Sequence, residues 1–336
     1  METKPKVTID DVAKSAGVSK STVSRIINNV PGVKPVTRFK VNRAIEELGF
    51  TPNIMARSLK TKLRRQIALA IDDIRNPYYP ELAWAAEQVA KQNNFRLVLI
   101  NHYGNPSEEL AVLKEANDMH VDGIVLLSTS HPKTLTKVIK KAAVPVALIG
   151  NYEEDMPADW VGLRENEGYV AMDHLIRIGR RRIAYAGNTT LHRGARYTAY
   201  VQSLASHFME FNRSLVYTGE RLAIDTGLEA ARYFYHLNEI PDAVFAANDL
   251  VAIGVTQGLI SLGLRVPEDV AVVGIDNIPW CTLTTPKVSS VSNLVGEMGR
   301  IAVERLILRI GDESKAFERI TLEPRLIVRE STVKQI

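Results

Sequence analysis

The chain has 336 residues, too many for one ordinary domain, and 46% of them are hydrophobic, which is typical of a globular protein with a sizeable core. Its single cysteine, Cys281, excludes an internal disulfide framework. No apolar stretch approaches the roughly 20 residues of a membrane span and no signal-peptide pattern is present, so we expect a cytoplasmic protein.

Charge is distributed unevenly along the chain. Residues 1–65, called the head below, contain 14 Lys and Arg against 5 Asp and Glu, whereas the following 271 residues contain 28 against 33. The head is therefore basic and the rest of the chain is mildly acidic. This distribution predicts that the head alone binds a polyanion. A solvated basic tail is the simpler alternative, but the regular apolar spacing of the head argues against it.

Three short helices are predicted within the head. TIDD at residues 8–11 fits a capping box, and apolar residues follow at helical spacing up to Gly17, which supplies a turn. Ser19 suits the start of a second helix, and a third runs from near Pro35 to Gly49. Two helices joined by a tight turn and closed by a third indicate a helix-turn-helix DNA-binding domain.

The second helix would enter the major groove of DNA. Its inner stripe is Val23, Ile26 and Ile27, so its polar residues face outward. A guanidinium can bind guanine with two donors, and other polar side chains near the helix start can reach base edges. The expected base readers are Lys20, Ser21 and Arg25. The short donors that suit phosphate contacts are Thr22, Ser24, Asn28 and Thr37.

A fourth, marginal helix is predicted at residues 54–61, capped by Asn53. It is shorter than the roughly 12–15 residues that an isolated helix needs in water, so we expect it to fold only when paired with its dimer mate on DNA. Leu59 would then act as an apolar wedge in the minor groove, with Lys60 facing phosphate. A plain basic linker is the alternative.

The body, residues 66–336, alternates apolar strands with helical stretches, and this alternation occurs twice. The first series is QIALAID, FRLVLIN, DGIVLLS and VPVALIG, and the second is RRIAYAG, SLVYTG, DAVFAAND and DVAVVGID. Helices in the first series are expected near residues 80–93, 107–119 and 133–142. Buried parallel strands interleaved with helices predict two doubly wound α/β lobes with a cleft between them.

Ligands of such sheets bind beyond the carboxyl ends of the strands. The polar residues just past those ends are Asp72, Asp73, Asn76, Ser128, Asn248, Asp249 and Asp276, with Tyr78, Tyr79 and Trp280 close by in sequence. Carboxylates, amides and aromatic faces suit a polyhydroxyl ligand such as a sugar. Simpler interpretations stay open, because Asn248 and Asp249 could cap a helix and Asp276 could belong to a turn.

The sequence lacks the usual catalytic and cofactor motifs. No G-x-G-x-x-G follows the first strands, no P-loop, G-x-S-x-G or H-E-x-x-H pattern occurs, and a lone cysteine cannot build a zinc site. Because carboxylates follow several predicted strands, a catalytic acid/base pair is the alternative. We nevertheless expect no enzyme, no metal and no cofactor.

Several segments are shared with a known family: TIDDVAKSAGVSKSTVSRIINN, TPNIMARSLK, NPYY, DGIVLL, DAVFAANDLVAIGV, GLRVPEDVAVVGIDNIP and TTPKVSSV. On these segments the chain resembles the LacI/GalR family of bacterial transcription regulators over roughly residues 7–332. The resemblance implies a homodimer whose heads bind a pseudo-palindromic operator, with hinge helices that fold in the minor groove. It also implies a core similar to periplasmic sugar-binding proteins, with a small effector between the lobes.

The resemblance further implies roles for individual residues. The base readers would be Lys20, Ser21 and Arg25, with Leu59 as an intercalating leucine. The phosphate contacts would include Thr8, Thr22, Ser24, Asn28, Thr37 and Asn53. The residues at or beside the effector-contact positions would be Asp73, Tyr79, Arg193, Asn248, Asp249, Asp276 and Trp280. The segment HRGARYTAY at residues 192–200 is shorter than the corresponding segment of the family. Either Arg193 or Arg196 would therefore be the arginine that contacts the effector. Other departures from the family pattern are Lys34, Phe50 and the pair Glu165-Asn166.

The expected division is a helix-turn-helix domain at 1–52, a hinge at 53–65 and an effector-binding and dimerisation core at 66–336. Within the core the N-lobe would comprise about 66–164 and 294–323, and the C-lobe about 165–293 and 324–336. No apolar heptad extension follows the last strand, which favours a dimer over a tetramer. The expected function is a repressor controlled by a sugar or sugar derivative. The alternatives are a periplasmic-type sugar-binding protein and control by a nucleobase or a protein corepressor.

Overall fold

The computed structural model describes residues 7–27, 32–50, 63–116, 118–127, 132–150, 152, 156–188 and 194–333. The chain divides into two compact units, Met1–Arg64 and Arg65–Ile336. Each unit has apolar clusters of its own.

The N-terminal unit contains α1 (Ile9–Ala16), α2 (Lys20–Ile27) and α3 (Pro35–Leu48) in its described part. Thr8 and Asp11 form the expected capping box at the start of α1. Gly17 and Gly49 end α1 and α3 with φ of 64° and 61°, a left-handed conformation that a residue without Cβ adopts at no steric cost. The buried core is Val12, Ala13, Val23, Ile26, Val41 and Ala44. These helices confirm the predicted helix-turn-helix arrangement.

The C-terminal unit contains two sheets, which define two lobes. The N-lobe strands are β1 (Gln66–Ile71), β2 (Arg96–Asn101), β3 (Gly123–Leu127), β4 (Val146–Ile149), β5 (Asp159–Leu163) and β11 (Arg319–Leu322). The C-lobe strands are β6 (Ile183–Gly187), β7 (Val216–Thr218), β8 (Ala243–Ala246), β9 (Ala271–Ile275), β10 (Ser289–Ser292) and β12 (Arg325–Ile327). The sheet orders are β11-β5-β4-β3-β1-β2 and β12-β10-β9-β8-β6-β7.

Helices cover both faces of each sheet. Those of the N-lobe are α4 (Tyr78–Gln92), α5 (Pro106–Lys114), α6 (Pro132–Ile139) and α11 (Val295–Gly311). Those of the C-lobe are α7 (Glu167–Arg177), α8 (Ala195–Ser206), α9 (Ile224–Tyr235) and α10 (Asp249–Ser261). Each sheet has a buried apolar cluster on either side, the layering that defines a doubly wound α/β fold.

The chain passes from one lobe to the other after β5, after β10 and after β11. Leu294 lies at the second crossing with φ of 56°, directly before α11. Arg164 and Glu323 follow β5 and β11, and their side chains form an ion pair of 2.9 Å between Nη1 and Oε1. The ends of these two adjacent strands therefore lie side by side where the chain leaves the N-lobe.

Some elements differ from the expectation. FRLVLIN was expected to be a buried strand, but β2 is the edge of the N-lobe sheet and exposes Val98 and Leu99, since an edge strand has a neighbour on one side only. The short strands β5, β10 and β11 were not predicted, because sequences such as SSVS lack an apolar run. The last strand, β12, pairs antiparallel with β10, whereas the other strand pairs described are parallel. In addition, α5 and α6 end earlier than expected.

Candidate DNA-reading face and ligand cleft

One side of α2 is polar and directed to solvent. Val23 and Ile26 are buried against the other two helices, whereas Lys20, Ser21 and Arg25 are exposed. The three predicted base readers are thus presented together by a helix whose opposite side is fixed in the core. This is the arrangement that inserting a helix into the major groove requires.

Hydroxyl groups organise the start of α2. Ser19 Oγ accepts the backbone N–H of Thr22 at 3.2 Å and lies 2.8 Å from Ser21 Oγ. This is the helix-capping role expected of Ser19. Lys20 Nζ lies 2.8 Å from Asp10 Oδ2, and both side chains are exposed. Since exposed ion pairs are weak, Lys20 can exchange Asp10 for a base or a phosphate at little cost.

The expected phosphate contacts are only partly described. Thr8 Oγ1 donates to Asp11 Oδ2 at 2.7 Å, and the hydrogen bonds from Thr8 lower the pKa of Asp11. Thr8 is therefore already engaged as a helix cap. The half-buried members of the set are Thr22, Ser24 and Thr37. Four expected DNA contacts lie outside the described residues: Asn28, Asn53, Leu59 and Lys60.

A cavity of about 730 Å³ lies between the two lobes, where the carboxyl ends of β1, β2, β8 and β9 meet. The expected effector residues that line it are Asp73, Tyr79, Arg196, Asn248, Asp276 and Trp280. Arg193 lies outside the described residues. Ligand-accessible groups thus come from both lobes, as expected for a cleft at the ends of parallel strands.

Two neighbouring residues of the expected effector set have structural roles. Asn248 lines the cavity but also caps α10, because its Oδ1 accepts the N–H of Val251 at 2.9 Å. Asp249 does not line the cavity: it is fully buried, and its Oδ2 accepts the N–H of Ile278 at 2.8 Å. Asp249 therefore holds the loop after β9 from behind the cavity wall, which differs from the direct contact expected of it.

Arg196 lies at the start of α8 and is held by three protein acceptors. Its Nε donates to Glu167 Oε1 at 2.9 Å, its Nη2 donates to Asp276 Oδ1 at 3.2 Å, and its Nη1 donates to the carbonyl of Ala247. Burial disfavours the charged guanidinium, but Asp276 and Glu167 outweigh that effect and raise the pKa of Arg196. This cluster joins α7, α8 and the ends of β8 and β9.

Burial changes the ionisation of the carboxyl groups beside this cluster. Desolvation raises the pKa of Asp276 to about 6, and the nearby Arg196 limits that rise. Desolvation and the charge of Asp276 raise the pKa of Asp249 to about 7. Asp276 Oδ1 also accepts from Asn293 Nδ2 at 3.2 Å. The base of the cleft therefore holds carboxyl groups that change charge near neutral pH.

Tyr78 and Tyr79 begin α4 and form an edge-to-face pair with ring centroids 5.0 Å apart. Tyr79 is buried, whereas Tyr78 packs against the apolar clusters of both lobes. Both rings also line the cavity. The pair therefore combines the packing role and the ligand-facing role that the sequence left open.

Several residues of the cavity wall were not among the expected contacts. They are Arg75, Tyr103, Arg221 and Asp225, with Glu167 behind Arg196. Arg75 and Tyr103 follow β1 and β2 within a few residues. The rule that ligands bind beyond the carboxyl ends of parallel strands could therefore have identified them. Glu167 is the first residue of α7 and meets a partner 29 positions away, which no local pattern indicates.

Comparison with known proteins places these features in a family. The description "Bacterial regulatory proteins, lacI family" matches residues 8–53, and "Periplasmic binding protein-like domain" matches residues 172–332. Catabolite control protein A of Priestia megaterium is 32% identical over 330 residues, which are 97% of this chain and 99% of that protein. The chain belongs to the lacI family of bacterial regulatory proteins. A second relative, the HTH-type transcriptional regulator CelR of Thermobifida fusca, is 34% identical over 98% of this chain and 100% of its own length.

Solved structures agree with the fold of this lacI-family regulator. A CelR–cellobiose complex superposes with a TM-score of 0.69 at 31% identity, covering 97% of this chain and 100% of that chain. A lac repressor dimer bound to operator and an anti-inducer gives 0.86 at 23% identity, covering 98% and 100%. The predicted combination of a helix-turn-helix domain with two α/β lobes is confirmed. The prediction of a DNA-binding transcriptional regulator rather than an enzyme is also confirmed, since the relatives are named as regulators.

In the part of the chain that the structure describes, no helix has both the length and the apolar character needed to cross a membrane.

Proposed function

We propose that this lacI-family regulator is a homodimeric repressor that binds a pseudo-palindromic operator and is controlled by a small effector in the interlobe cleft. The observation that carries the proposal is the exposed polar side of α2, mounted on a three-helix core. A dimer presents two such helices to successive half-sites of DNA, which then carry related sequences. The regulator would act in the cytoplasm, where the DNA is.

The proposed contacts divide into base readers and phosphate contacts. Arg25 would bind a guanine with two donors, Lys20 and Ser21 would reach neighbouring base edges, and Leu59 would wedge into the minor groove. The proposed phosphate contacts are Thr8, Thr22, Ser24, Asn28, Thr37, Asn53 and Lys60. The excess of Lys and Arg over Asp and Glu in the head supports a tight, salt-dependent interaction with the DNA backbone.

The proposed division of labour follows the chain. Residues 1–52 would read DNA, residues 53–65 would form the hinge, and residues 66–336 would bind the effector and dimerise. Within the core the N-lobe would comprise about 66–164 and 294–323, and the C-lobe the remainder. Trp84, Val98 and Leu99 are exposed on α4 and β2, and such apolar surface supports a subunit interface.

The proposed effector is a carbohydrate or a carbohydrate derivative. The CelR structure holds cellobiose, which supports a sugar in the corresponding cleft. The proposed contacts are Asp73, Tyr79, Arg196, Asn248, Asp276 and Trp280, with Arg193 as the alternative arginine and Asp249 as support for the wall. Carboxylate and amide groups beside aromatic rings suit a ring of hydroxyl groups with apolar faces.

Effector binding would control DNA binding through the hinge. A ligand that binds the closed arrangement of the lobes more tightly shifts the lobes toward closure and changes the spacing of the two hinge segments in the dimer. Because a helix as short as the predicted hinge is marginal, a small change in spacing suffices to form or melt it. A hundredfold effect on operator affinity corresponds to about 2.7 kcal/mol of differential binding.

The test is selection of bound duplexes from a random-sequence pool with the full chain. We expect an inverted repeat, because each half-site faces one head of the dimer. Titration of the recovered duplex with salt should then give a steep negative slope of log affinity against log salt, since many phosphates release counterions. Recovery of no common sequence, or a flat slope, would contradict the proposed function.

A further inference from the structure

The base of the cleft holds more buried carboxylates than cations. Arg196 Nη2 lies 2.9 Å from Glu167 Oε1 and 3.2 Å from Asp276 Oδ1. The side chains of Arg196, Glu167 and Asp276 are only 20%, 16% and 6% exposed, so water screens their charges poorly. Two carboxylates around one guanidinium leave an excess of negative charge at this point of the cleft.

Arg196 has little capacity left for an anionic ligand. All three of its nitrogens contact protein acceptors, namely Glu167, Asp276 and the carbonyl of Ala247. A phosphate or carboxylate group at the base of the cleft would therefore compete with Glu167 and Asp276 for Arg196. It would also lie against the carboxylate of Asp276, which lines the cavity.

Asp249 increases the negative potential behind Asp276. It is fully buried, and the pKa of its carboxyl is raised first by burial and then by the charge of Asp276. At neutral pH this carboxyl is ionised in part of the molecules.

The other charges that line the cavity do not cancel this excess. Arg75 forms an ion pair with Asp73 in the N-lobe wall. The Arg75 Nε atom lies 2.9 Å from Asp73 Oδ1 and 3.0 Å from Asp73 Oδ2. Arg221 and Asp225 are exposed residues of the cavity lining with opposite charges, and Arg221 helps to lower the pKa of Asp73. Asp72 lines the wall opposite Asp276.

We propose that the effector is a polyhydroxylated amine, such as an amino sugar, whose ammonium group lies against Asp276. The proposal rests on the interlobe cleft being the effector site of the proposed function. An ammonium group offsets the buried excess charge, which a neutral sugar leaves uncompensated and an anionic sugar increases. The hydroxyl groups of the ligand meet the amide and tyrosine side chains of the same cavity.

Charge would also link this ligand to closure of the lobes. Asp72 and Asp276 line the cavity from opposite walls of the cleft. Bringing the lobes together removes water from between these carboxylates and so strengthens any repulsion between them. A cation placed between the walls turns that repulsion into attraction, so an amine favours the closed arrangement more than a neutral sugar does.

The test is isothermal titration of the full chain with matched ligands. The amines are D-glucosamine, D-galactosamine and D-mannosamine, each paired with its parent hexose and its neutral N-acetyl derivative, with D-gluconate as an anion. We expect one amine to bind at least about tenfold more tightly than its parent hexose and its N-acetyl derivative. Binding of no amine, or a parent hexose or gluconate that binds as tightly as the best amine, would overturn the proposal.

Glu167→Gln tests whether Glu167 acts on the ligand through its negative charge or only by holding Arg196 in place. The amide keeps an acceptor for Arg196 but removes one negative charge, so we expect the affinity for the amine to fall at least about tenfold more than the affinity for the parent hexose. Glu210→Gln, an exposed carboxylate-to-amide change in the same lobe, is the matched control and should alter neither affinity. Equal losses for both ligands in Glu167→Gln would show a structural role only and overturn the proposal.

Operator binding is measured on the same preparations. A wild-type chain that binds its selected operator but shows no preference for amines overturns the ligand proposal alone. A chain that binds no operator contradicts the proposed function, whatever ligand it prefers.

Discussion

Arg25 is exposed on α2, one turn beyond Lys20 and Ser21, where a guanidinium can reach a base edge. We expect Arg25→Ala to cost about 1–3 kcal/mol of operator affinity and to relax the preference at one position of each half-site, because a bidentate contact to guanine is lost. Competition between the selected operator and its single-base variants measures this. Arg43→Ala, an exposed arginine of α3, is the control and should leave base preference intact. An unchanged preference in Arg25→Ala would reject its role as a base reader.

Asp249 makes stability depend on pH in a direction unusual for a carboxyl group. Its pKa is raised from 3.8 to about 7 in the folded chain, so the folded state holds the proton more tightly than the unfolded state. Its contribution to the free energy of unfolding is therefore greatest at acid pH and is lost as the pH rises from about 4 to about 7.

We expect Asp249→Asn to remove part of this dependence, so that the variant gains stability relative to wild type between about pH 5 and pH 8. The asparagine keeps an oxygen to accept the N–H of Ile278. Urea unfolding at both pH values measures the change. Asp269→Asn is the control, since Arg265 lowers the pKa of Asp269 to about 2 and its effect appears only in more acid solution. Parallel pH profiles for wild type and Asp249→Asn would contradict the assignment.

At the scale of elements, α9 and α10 pack through backbone contact. A Cβ on Gly254 would lie 2.1 Å from the carbonyl oxygen of Ile224, and one on Gly227 would lie 2.2 Å from the carbonyl oxygen of Val251. Both obstacles are main-chain atoms, which cannot turn aside as a side chain can. The two helices can approach this closely only because neither residue carries a side chain.

We expect Gly254→Ala to destabilise the C-terminal unit by about 1–3 kcal/mol or more, even though alanine favours helix over glycine, because α9 and α10 are forced apart. The midpoint of urea unfolding measures the loss. Gly311→Ala is the matched control: this glycine ends α11 and has open space around its missing Cβ, so stability should hold or rise slightly. Equal behaviour of the two variants would reject the close-packing argument.

Elements with a continuous apolar run could be predicted from sequence, and polar ones could not. AVFA of β8 and AVVGI of β9 are buried throughout, so hydrophobicity alone marks them. SSVS of β10 becomes a strand because β9 and β12 provide hydrogen-bond partners on either side, and this support comes from tertiary structure. Propensity at the scale of four residues is too weak to indicate such strands.

The residues of the cleft could likewise be predicted only in part. Asp72, Asp73 and Asp276 directly follow strands, and the rule that ligands bind at the carboxyl ends of parallel strands places them in its wall. Glu167 could not be placed, because its partner Arg196 comes from a different helix and Asp276 lies 80 positions beyond that arginine. Only the packing of α7 against α8 brings these groups together.

At the scale of the whole molecule, three crossings connect the lobes, so neither lobe is a continuous stretch of chain. Tyr78 packs against the apolar clusters of both lobes, and Asp276 and Arg196 line the cavity between them. Movement of one lobe therefore changes the environment of the ligand-facing groups directly. This supports a single closing motion as the event that effector binding controls.

The second crossing also determines the order of assembly during synthesis. The buried N-lobe cluster that contains β1 and α4 takes six of its residues from α11: Val295, Met298, Ile301, Ala302, Val303 and Leu306. The buried clusters of the C-lobe lie wholly within residues 171–291. A nascent chain emerging from the ribosome can therefore bury the apolar clusters of the C-lobe before α11, which completes the N-lobe cluster, is in place. The N-lobe begins to be translated first, yet its apolar cluster is the last to be completed.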